Sequence, residues 1–443
     1  MKKIWTTVAL TAALLVAGCG GSKTSYAQGV SEDEIKIGAV ITSTGLYAAV
    51  GVPYGNFYKS FVAYINANQD DYADALDGKK LNSIIYDEGG DGAVGKTYVQ
   101  KLINDDKVFS LVGILGTWNL VAAQAELETA GIPSVYFGTG SSYQMYEPAV
   151  GDQRYMMGVQ PLYKTEGRLM YLRALTSFDN VQKIGVIHSS ADDGLSLKAG
   201  IQAQADLDTR TNKPTIVYQQ VTTTVAADMT SQIEAVKDCD VIIAAANQAY
   251  FKAIYPAVQT NAASRGKPII TTYVNIAPTN MPEEAVEANN SDIYGAAWVV
   301  FNEVAGSSAE ADRRLADYAE YCKVVDANVG GFIPEDQKAA YKLNAYAMSS
   351  FIALKAFLVG LERVNEAKKE LTPENYLEAM ESKRVPIAIS GGVSYANGQR
   401  IGLDSLSFVK YDRPAAGQGA AAGTFVEVDP MTSIDQLVSQ LKK

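Results

Sequence analysis

Histidine occurs once and cysteine three times in 443 residues, and this scarcity removes much chemistry at the outset. His188 and the cysteines at 19, 239 and 322 have no spacing that suits a zinc site, so no metal and no cofactor is expected. Two cysteines beyond position 19 do not make a disulfide framework in so long a chain, and Cys239 and Cys322 read as buried thiols in different lobes. Lys and Arg number 38 against 49 Asp and Glu, with no basic run, which argues against nucleic acid as a partner. No Gly-x-Ser-x-Gly elbow exists to make a serine nucleophilic, so a hydrolase is not expected, and the chain is read as a binding protein and not an enzyme. His188, at a strand end that borders a candidate cleft, reads as a structural histidine. Acidic pairs such as Asp70-Asp71 and Glu283-Glu284 read as solvated surface.

What is present begins with a leader. Lys2 and Lys3 precede an apolar run from Val8 to Val16, too short to span a bilayer comfortably, so residues 1–18 read as a signal peptide. Val16-Ala17-Gly18 before Cys19 resembles the lipobox of bacterial lipoproteins, and that resemblance implies a lipid on Cys19. A plain secretory peptide is the alternative. Residues 19–34, including GGSKTSYAQ, then form an anchor and flexible tether. Loss of Lys2 and Lys3 with the leader takes the formal charge from −11 to −13. The expected location is outside the cell membrane, tethered to it.

The stretch IKIGAVITSTGLYAAVG (35–51) organises the rest. It reads as a strand buried on both faces, Ile35–Ile41, that opens into a loop carrying Thr42, Ser43, Thr44, Gly45 and the Tyr47 ring. Further strands are expected at Leu81–Tyr86, Phe109–Val112 and Pro133–Phe137, with helices near 51–68, 94–106 and 119–130 between them. The order then repeats, with strands Ile184–His188, Thr215–Val221, Val241–Ala246, Pro268–Tyr273 and Ile293–Phe301. Helices fall near 195–210, 229–237 and 249–262. Such alternation predicts an α/β fold of two doubly wound parallel-sheet lobes. The tail predicts helices over 309–325, 335–364 and 373–382, a hairpin turning at Tyr395–Gly398 into a strand Leu406–Tyr411, and a loop Ala415–Gly423. The apolar stripe from Met348 to Leu358 is interrupted by Lys355 and reads as a core helix. A tail of this length packs back on the lobes.

Ligands in open α/β sheets sit beyond the carboxyl ends of the strands. In the first lobe those ends supply Tyr47, then Thr117 and Trp118, then Gly138, Thr139, Gly140 and Ser141. Hydroxyls beside the free amides of a helix start suit a carboxylate, although each is also an ordinary helix cap or turn residue. Tyr47 and Trp118 suggest a flat or bulky ligand held between rings. In the second lobe the ends supply Asp193, Asn247, Gln248, Tyr273 and Asn275. Asp193 could meet a ligand ammonium or cap the following helix. Gly90–Thr97, GDGAVGKT, matches the phosphate-binding pattern G-x-x-x-x-G-K-[ST], but Asp87 and Glu88 lie beside it and no Mg²⁺-binding strand follows, so it reads as structural.

The ordered segments IKIGAVITSTGLYAAVG, YDEGGDGAVGKTYVQKLINDDKVFSLVGILGT, AGIPSVYFGTGSS, KIGVIHSSADDG and CDVIIAAANQAYFKAIYPAV resemble the substrate-binding lipoproteins of branched-chain amino-acid-type ABC transporters. The resemblance implies the type I periplasmic binding protein fold, two lobes joined by three crossovers, here near Tyr155–Gln160, Val300–Glu303 and Gly402–Ser405. It implies lobe 1 as 35–156 plus 302–403 and lobe 2 as 157–301 plus 404–443. It also implies a monomer that closes on a small ligand and delivers it to an ABC permease, with Thr117 and the Gly138 and Gly140 amides holding a ligand carboxylate. The amino-acid binders of that family place a Tyr where Asp193 stands and an acid near Val274, which this chain lacks. A ligand-sensing receptor partner is the second reading, and a nucleotide-binding enzyme built on Gly90–Thr97 the third.

Overall fold

The computed structural model describes residues 26–142, 146, 148–299 and 309–442. The expected leader, Cys19 and the crossover at Val300–Glu303 lie outside the described residues. The chain opens with β1 (Glu34–Ile41), α1 (Ala48–Ala67), the short α2 (Ala73–Leu76), β2 (Lys80–Asp87), α3 (Gly92–Asn104), β3 (Ser110–Leu115), α4 (Thr117–Glu128), β4 (Ser134–Gly138) and β5 (Met156–Met157). The five strands form a parallel sheet in the order β2-β1-β3-β4-β5. Strand β3 is buried at all six positions, as its run SLVGIL requires of a strand covered by helices on both faces.

The pattern then repeats through α5 (Tyr163–Thr176), β6 (Lys183–Ser189), α6 (Asp192–Leu207), β7 (Thr215–Val221), α7 (Thr230–Val236), β8 (Val241–Ala245), α8 (Gln248–Thr260), β9 (Ile269–Thr271) and β10 (Ile293–Ala297). Their parallel order, β7-β6-β8-β9-β10, repeats the winding of the first sheet. The expected architecture of two doubly wound lobes is therefore observed.

The tail supplies α9 (Ala309–Ala327), α10 (Lys338–Tyr341), α11 (Ala345–Glu366), α12 (Pro373–Ser382) and the two-residue strands β11 (Val385–Pro386) and β12 (Gly392–Val393). After them come β13 (Ser405–Asp412), β14 (Thr424–Ser433) and α13 (Ile434–Leu441). Helix α11 packs on α1 and α12 and beneath β3 and β4. It is long and apolar enough to cross a membrane by composition, yet it is mostly buried here as the core helix of the first lobe.

Three expectations for the tail are corrected. The long helix over 335–364 is broken, because Asn344 accepts hydrogen bonds from the Tyr346 and Ala347 amides and so starts a new helix. Asn397 and Gly398 do adopt left-handed φ of 56° and 75°, but the flanking segments do not pair as a hairpin. Strand β13 instead lies antiparallel to β10 and to β14, extending the second sheet. Cys239 is buried, whereas Cys322 is only half-buried, and both are free thiols.

Two of the crossovers run side by side. The first leaves β5 and reaches α5 through residues 158–162, so that β5 carries the first sheet as far as Met157. The Leu403 amide donates to Val159 O at 3.0 Å, and the Tyr395 hydroxyl donates to Gly158 O at 3.0 Å. Gly402 has φ +65°, and a Cβ there would sit 2.2 Å from Gln160 O, so only glycine permits this approach.

Candidate functional site

Both sheets reverse their strand order between their first and third strands, β1/β3 and β6/β8, which is where a doubly wound sheet opens a crevice at its carboxyl end. The two crevices face each other. Ser141 Oγ, after β4, donates to Asp192 Oδ2 at 3.1 Å at the start of α6. A Cβ on Gly140 would lie 2.4 Å from the Tyr273 hydroxyl and 2.8 Å from the Tyr163 ring, so the two lobes touch here.

On the first-lobe side, Thr117 and Thr139 hydroxyls lie 2.6 Å apart, and the Ser141 amide donates to Thr139 Oγ1 at 3.0 Å. Glu88, only 4% exposed, gathers the wall behind them. Its Oε1 accepts from Thr42 Oγ1 (2.5 Å), Trp118 Nε1 (2.7 Å) and Asn119 Nδ2 (2.8 Å). Tyr47 stacks directly on Trp118, with centroids 4.1 Å apart and planes 13° apart. That spacing leaves no room for a ligand between them, which corrects the expectation of a sandwich. The loop after β1 is also more committed than expected. Thr42 is fully buried, and the Ser43 and Thr44 amides donate to Asp87 Oδ1 at 2.9 and 3.4 Å.

On the second-lobe side, Asp193 lies in the first turn of α6. It is not the N-cap, a position held by Ala191. Its carboxylate accepts from Ser189 Oγ (3.2 Å) and from the Asn247 amide (3.0 Å). Asn247 Nδ2 donates to the Tyr163 hydroxyl at 3.3 Å, and the Gln248 amide donates to Asn275 Oδ1 at 2.7 Å. Asn275 is fully buried, and its Nδ2 donates to Ala246 O and Thr271 Oγ1, both at 2.8 Å. It ties the ends of β8 and β9 together and has no face turned to a ligand. Tyr273 stacks on Tyr163, donates to Pro161 O (3.1 Å) and accepts from Gln160 Nε2 (2.8 Å). Gln160 Oε1 in turn accepts from Tyr136 of β4 at 3.1 Å, so one chain of bonds joins both lobes through the crossover.

Sequence reasoning therefore brought together Thr117, Trp118, Thr139, Gly140 and Ser141 in one lobe, with Asp193, Asn247 and Tyr273 in the other. It did not anticipate Glu88, Gln160 and Tyr163, which bond to these candidates. The Gly90–Thr97 segment spans the end of the β2–α3 loop and the first turns of α3. Asp91 caps α3 by accepting from the Ala93 and Val94 amides, and Lys96 pairs with Glu126 at 3.0 Å. The Ala93 and Val94 amides, which face a phosphate in such a loop, are occupied by the Asp91 carboxylate. His188 is buried with Nδ1 3.0 Å from Ser189 O, and burial lowers its pKa from the usual histidine value. Among the described residues no cluster of His, Cys, Asp and Glu could hold a metal.

Glu166, on α5, is fully buried and accepts from the Tyr273 amide (2.6 Å) and Thr272 Oγ1 (2.8 Å). Burial raises its pKa from 4.5 to about 8, and the two donors offset this only in part. The folded state thus keeps a proton that the unfolded chain loses near 4.5. The stability this group contributes is full below that value and is lost as pH rises through about 8. Urea unfolding from pH 5 to 9 should therefore show a midpoint that falls with pH, and Glu166→Gln should flatten that slope. A wild-type midpoint that rises across this range would contradict the assignment.

A model described as periplasmic binding protein matches residues 34–417. The chain belongs to that family. No curated protein matches it in sequence. Among solved structures it is similar to an ABC transporter substrate-binding protein from Sphaerobacter thermophilus, at 15% identity and TM-score 0.68, covering 91% of this chain and 99% of that one. It is also similar to a branched-chain amino acid ABC transporter protein from Thermus thermophilus with bound valine, at 12% identity and TM-score 0.67, covering 94% and 100%. A fatty acid ABC transporter substrate-binding protein from Thermomonospora curvata gives 16% identity and TM-score 0.64, covering 93% and 95%. These likenesses share the type I periplasmic binding protein fold. Membership in the periplasmic binding protein family makes this a ligand-binding protein, and it implies an extracytoplasmic location.

Proposed function

We propose that the protein is a lipid-anchored solute-binding component of an ABC importer, held at the membrane through Cys19 after loss of residues 1–18. It captures a small polar, carboxylate-bearing ligand, amino-acid-like or aromatic, and performs no chemistry on it. The observation that carries this reading is the pair of facing strand-end clusters, with Thr117 and Thr139 on one side and Asp193 and Asn247 on the other. A ligand that touches both clusters stabilises the closed form, since it shifts the balance of two states by its difference in affinity for them. The hydroxyls and nearby loop amides suit a carboxylate, and Asp193 suits an ammonium. The strand membership of the two sheets supports lobes of 35–156 plus 302–403 and 157–301 plus 404–443, except that Met157 pairs in the first sheet; the protein acts as a monomer.

A metabolite screen by thermal unfolding tests this reading. A matching solute at a hundred times its Kd should add about 2.7 kcal/mol of stability. Thr117→Val and Thr139→Val should each remove about 1 kcal/mol or more of that shift. Full stabilisation in both variants would reject the site. The occupied amides around Asp91 speak against nucleotide hydrolysis, and loss of solute uptake on deletion would separate an importer component from a sensor.

A further inference from the structure

Trp118 and Tyr47 form a stacked pair, but they are held very differently. The Trp118 indole is fixed on several sides. Its N–H donates to the buried Glu88 carboxylate at 2.7 Å, and Glu88 is itself held by Thr42 and Asn119. Behind the ring lies Gly116, with φ +97°, where a Cβ would fall 2.4–2.6 Å from three indole carbons. No other residue lets the ring lie so close to its own loop. Tyr47 is 38% exposed and stands at the end of a three-residue turn, Gly45–Tyr47, which has no side-chain cap. Its ring rests on the indole face at 4.1 Å, the spacing at which another flat ring would lie.

A charged acceptor on an indole N–H costs desolvation unless several donors share it. Glu88 meets that condition at Oε1, which three donors share, while its Oε2 is buried without a hydrogen-bond partner among the described residues. What the carboxylate adds is orientation, because it sets the indole plane through a directional bond. We propose that Glu88 is a positioning residue which holds Trp118 as a flat platform, and that Tyr47 covers this platform and yields it to the planar ring of an aromatic carboxylate ligand. This rests on the solute-binding reading above and narrows it to ring-bearing acids, with the ring on Trp118 and the carboxylate near Thr117 and Thr139.

Calorimetric titration of the purified protein tests it, with L-phenylalanine and phenylacetate as ring-bearing probes and L-valine as the aliphatic probe. At least one ring probe should bind about tenfold tighter than valine or better. Glu88→Leu should erase this preference, whereas Glu88→Gln keeps an oxygen for the indole N–H and should retain it. Near-ultraviolet circular dichroism of the stacked pair should change when the ring probe is added to wild type, and much less in Glu88→Leu. Equal or better binding of valine overturns the platform while leaving solute binding intact. A Glu88→Leu variant that folds and keeps its ring preference also overturns it, as does failure of both ring probes to bind. A protein stabilised by no solute in the metabolite screen would reject the solute-binding reading itself.

Discussion

Replacement of Arg400 by methionine is expected to cost about 3–5 kcal/mol of stability, the range for breaking a buried ion pair. Its side chain is fully buried at the base of the paired crossovers. The guanidinium donates to Arg154 O, to Tyr395 O at 3.0 Å, to Gln399 O at 2.7 Å and to Glu381 Oε1 at 2.7 Å. It also lies 5.1 Å from the Tyr395 ring centroid. Methionine fills much of the volume but leaves three carbonyls and a carboxylate without their donor, and unmade bonds of this kind cost more than made ones contribute. Glu381 retains Arg154 as a partner, so the loss stops short of a wholly isolated charge. Urea unfolding monitored by circular dichroism reads the effect. A change below about 0.5 kcal/mol, the scale of an ordinary surface substitution, would show that the clamp is dispensable.

Alanine at Gly140 should weaken ligand binding about tenfold or more while leaving each lobe folded, since overpacking costs about 1–3 kcal/mol. The added methyl would meet the Tyr273 hydroxyl at 2.4 Å and the Tyr163 ring at 2.8 and 2.9 Å. Neither side chain can swing away cheaply. The Tyr273 hydroxyl is bonded to Pro161 O and Gln160, and the Tyr163 hydroxyl to Asn247. The strain is relieved by drawing the Gly138–Ser142 loop away from the second lobe, which opens the cleft. The expected result is a reduced thermal shift with a stabilising solute and a near-normal far-ultraviolet spectrum. An unchanged affinity would mean that this contact does not belong to closure.

The alternation of strands and helices was legible because each parallel strand is an unbroken apolar run, VIIAA in β8 being buried at all five positions. Where reading failed, long-range pairing decided the outcome. Asn397-Gly398 has the turn geometry its sequence suggests, yet β13 finds its partners in β10 and β14. The apolar periodicity over 335–364 hid the break that Asn344 makes by capping α11. Strand β14 and α13 were not foreseen at all, because TFVEVDPMTS alternates weakly and contains Pro430. In the site, strand-end hydroxyls and glycines could be found one loop at a time. The role of Glu88 could not, since its partners Thr42, Trp118 and Asn119 lie 46, 30 and 31 residues away in sequence. Asn275 was misjudged for the converse reason: a polar residue at a strand end had its bonds taken by neighbouring backbone.

The central claim is that facing strand ends of two similar sheets close on one solute. A crystal structure of the protein grown with the most stabilising solute from the thermal screen tests it directly. The account predicts that solute between the Thr117–Thr139 pair and the Asp193–Asn247 pair, in contact with both lobes. A solute bound to one lobe alone, or density for phosphate cradled by residues 89–97, would contradict it.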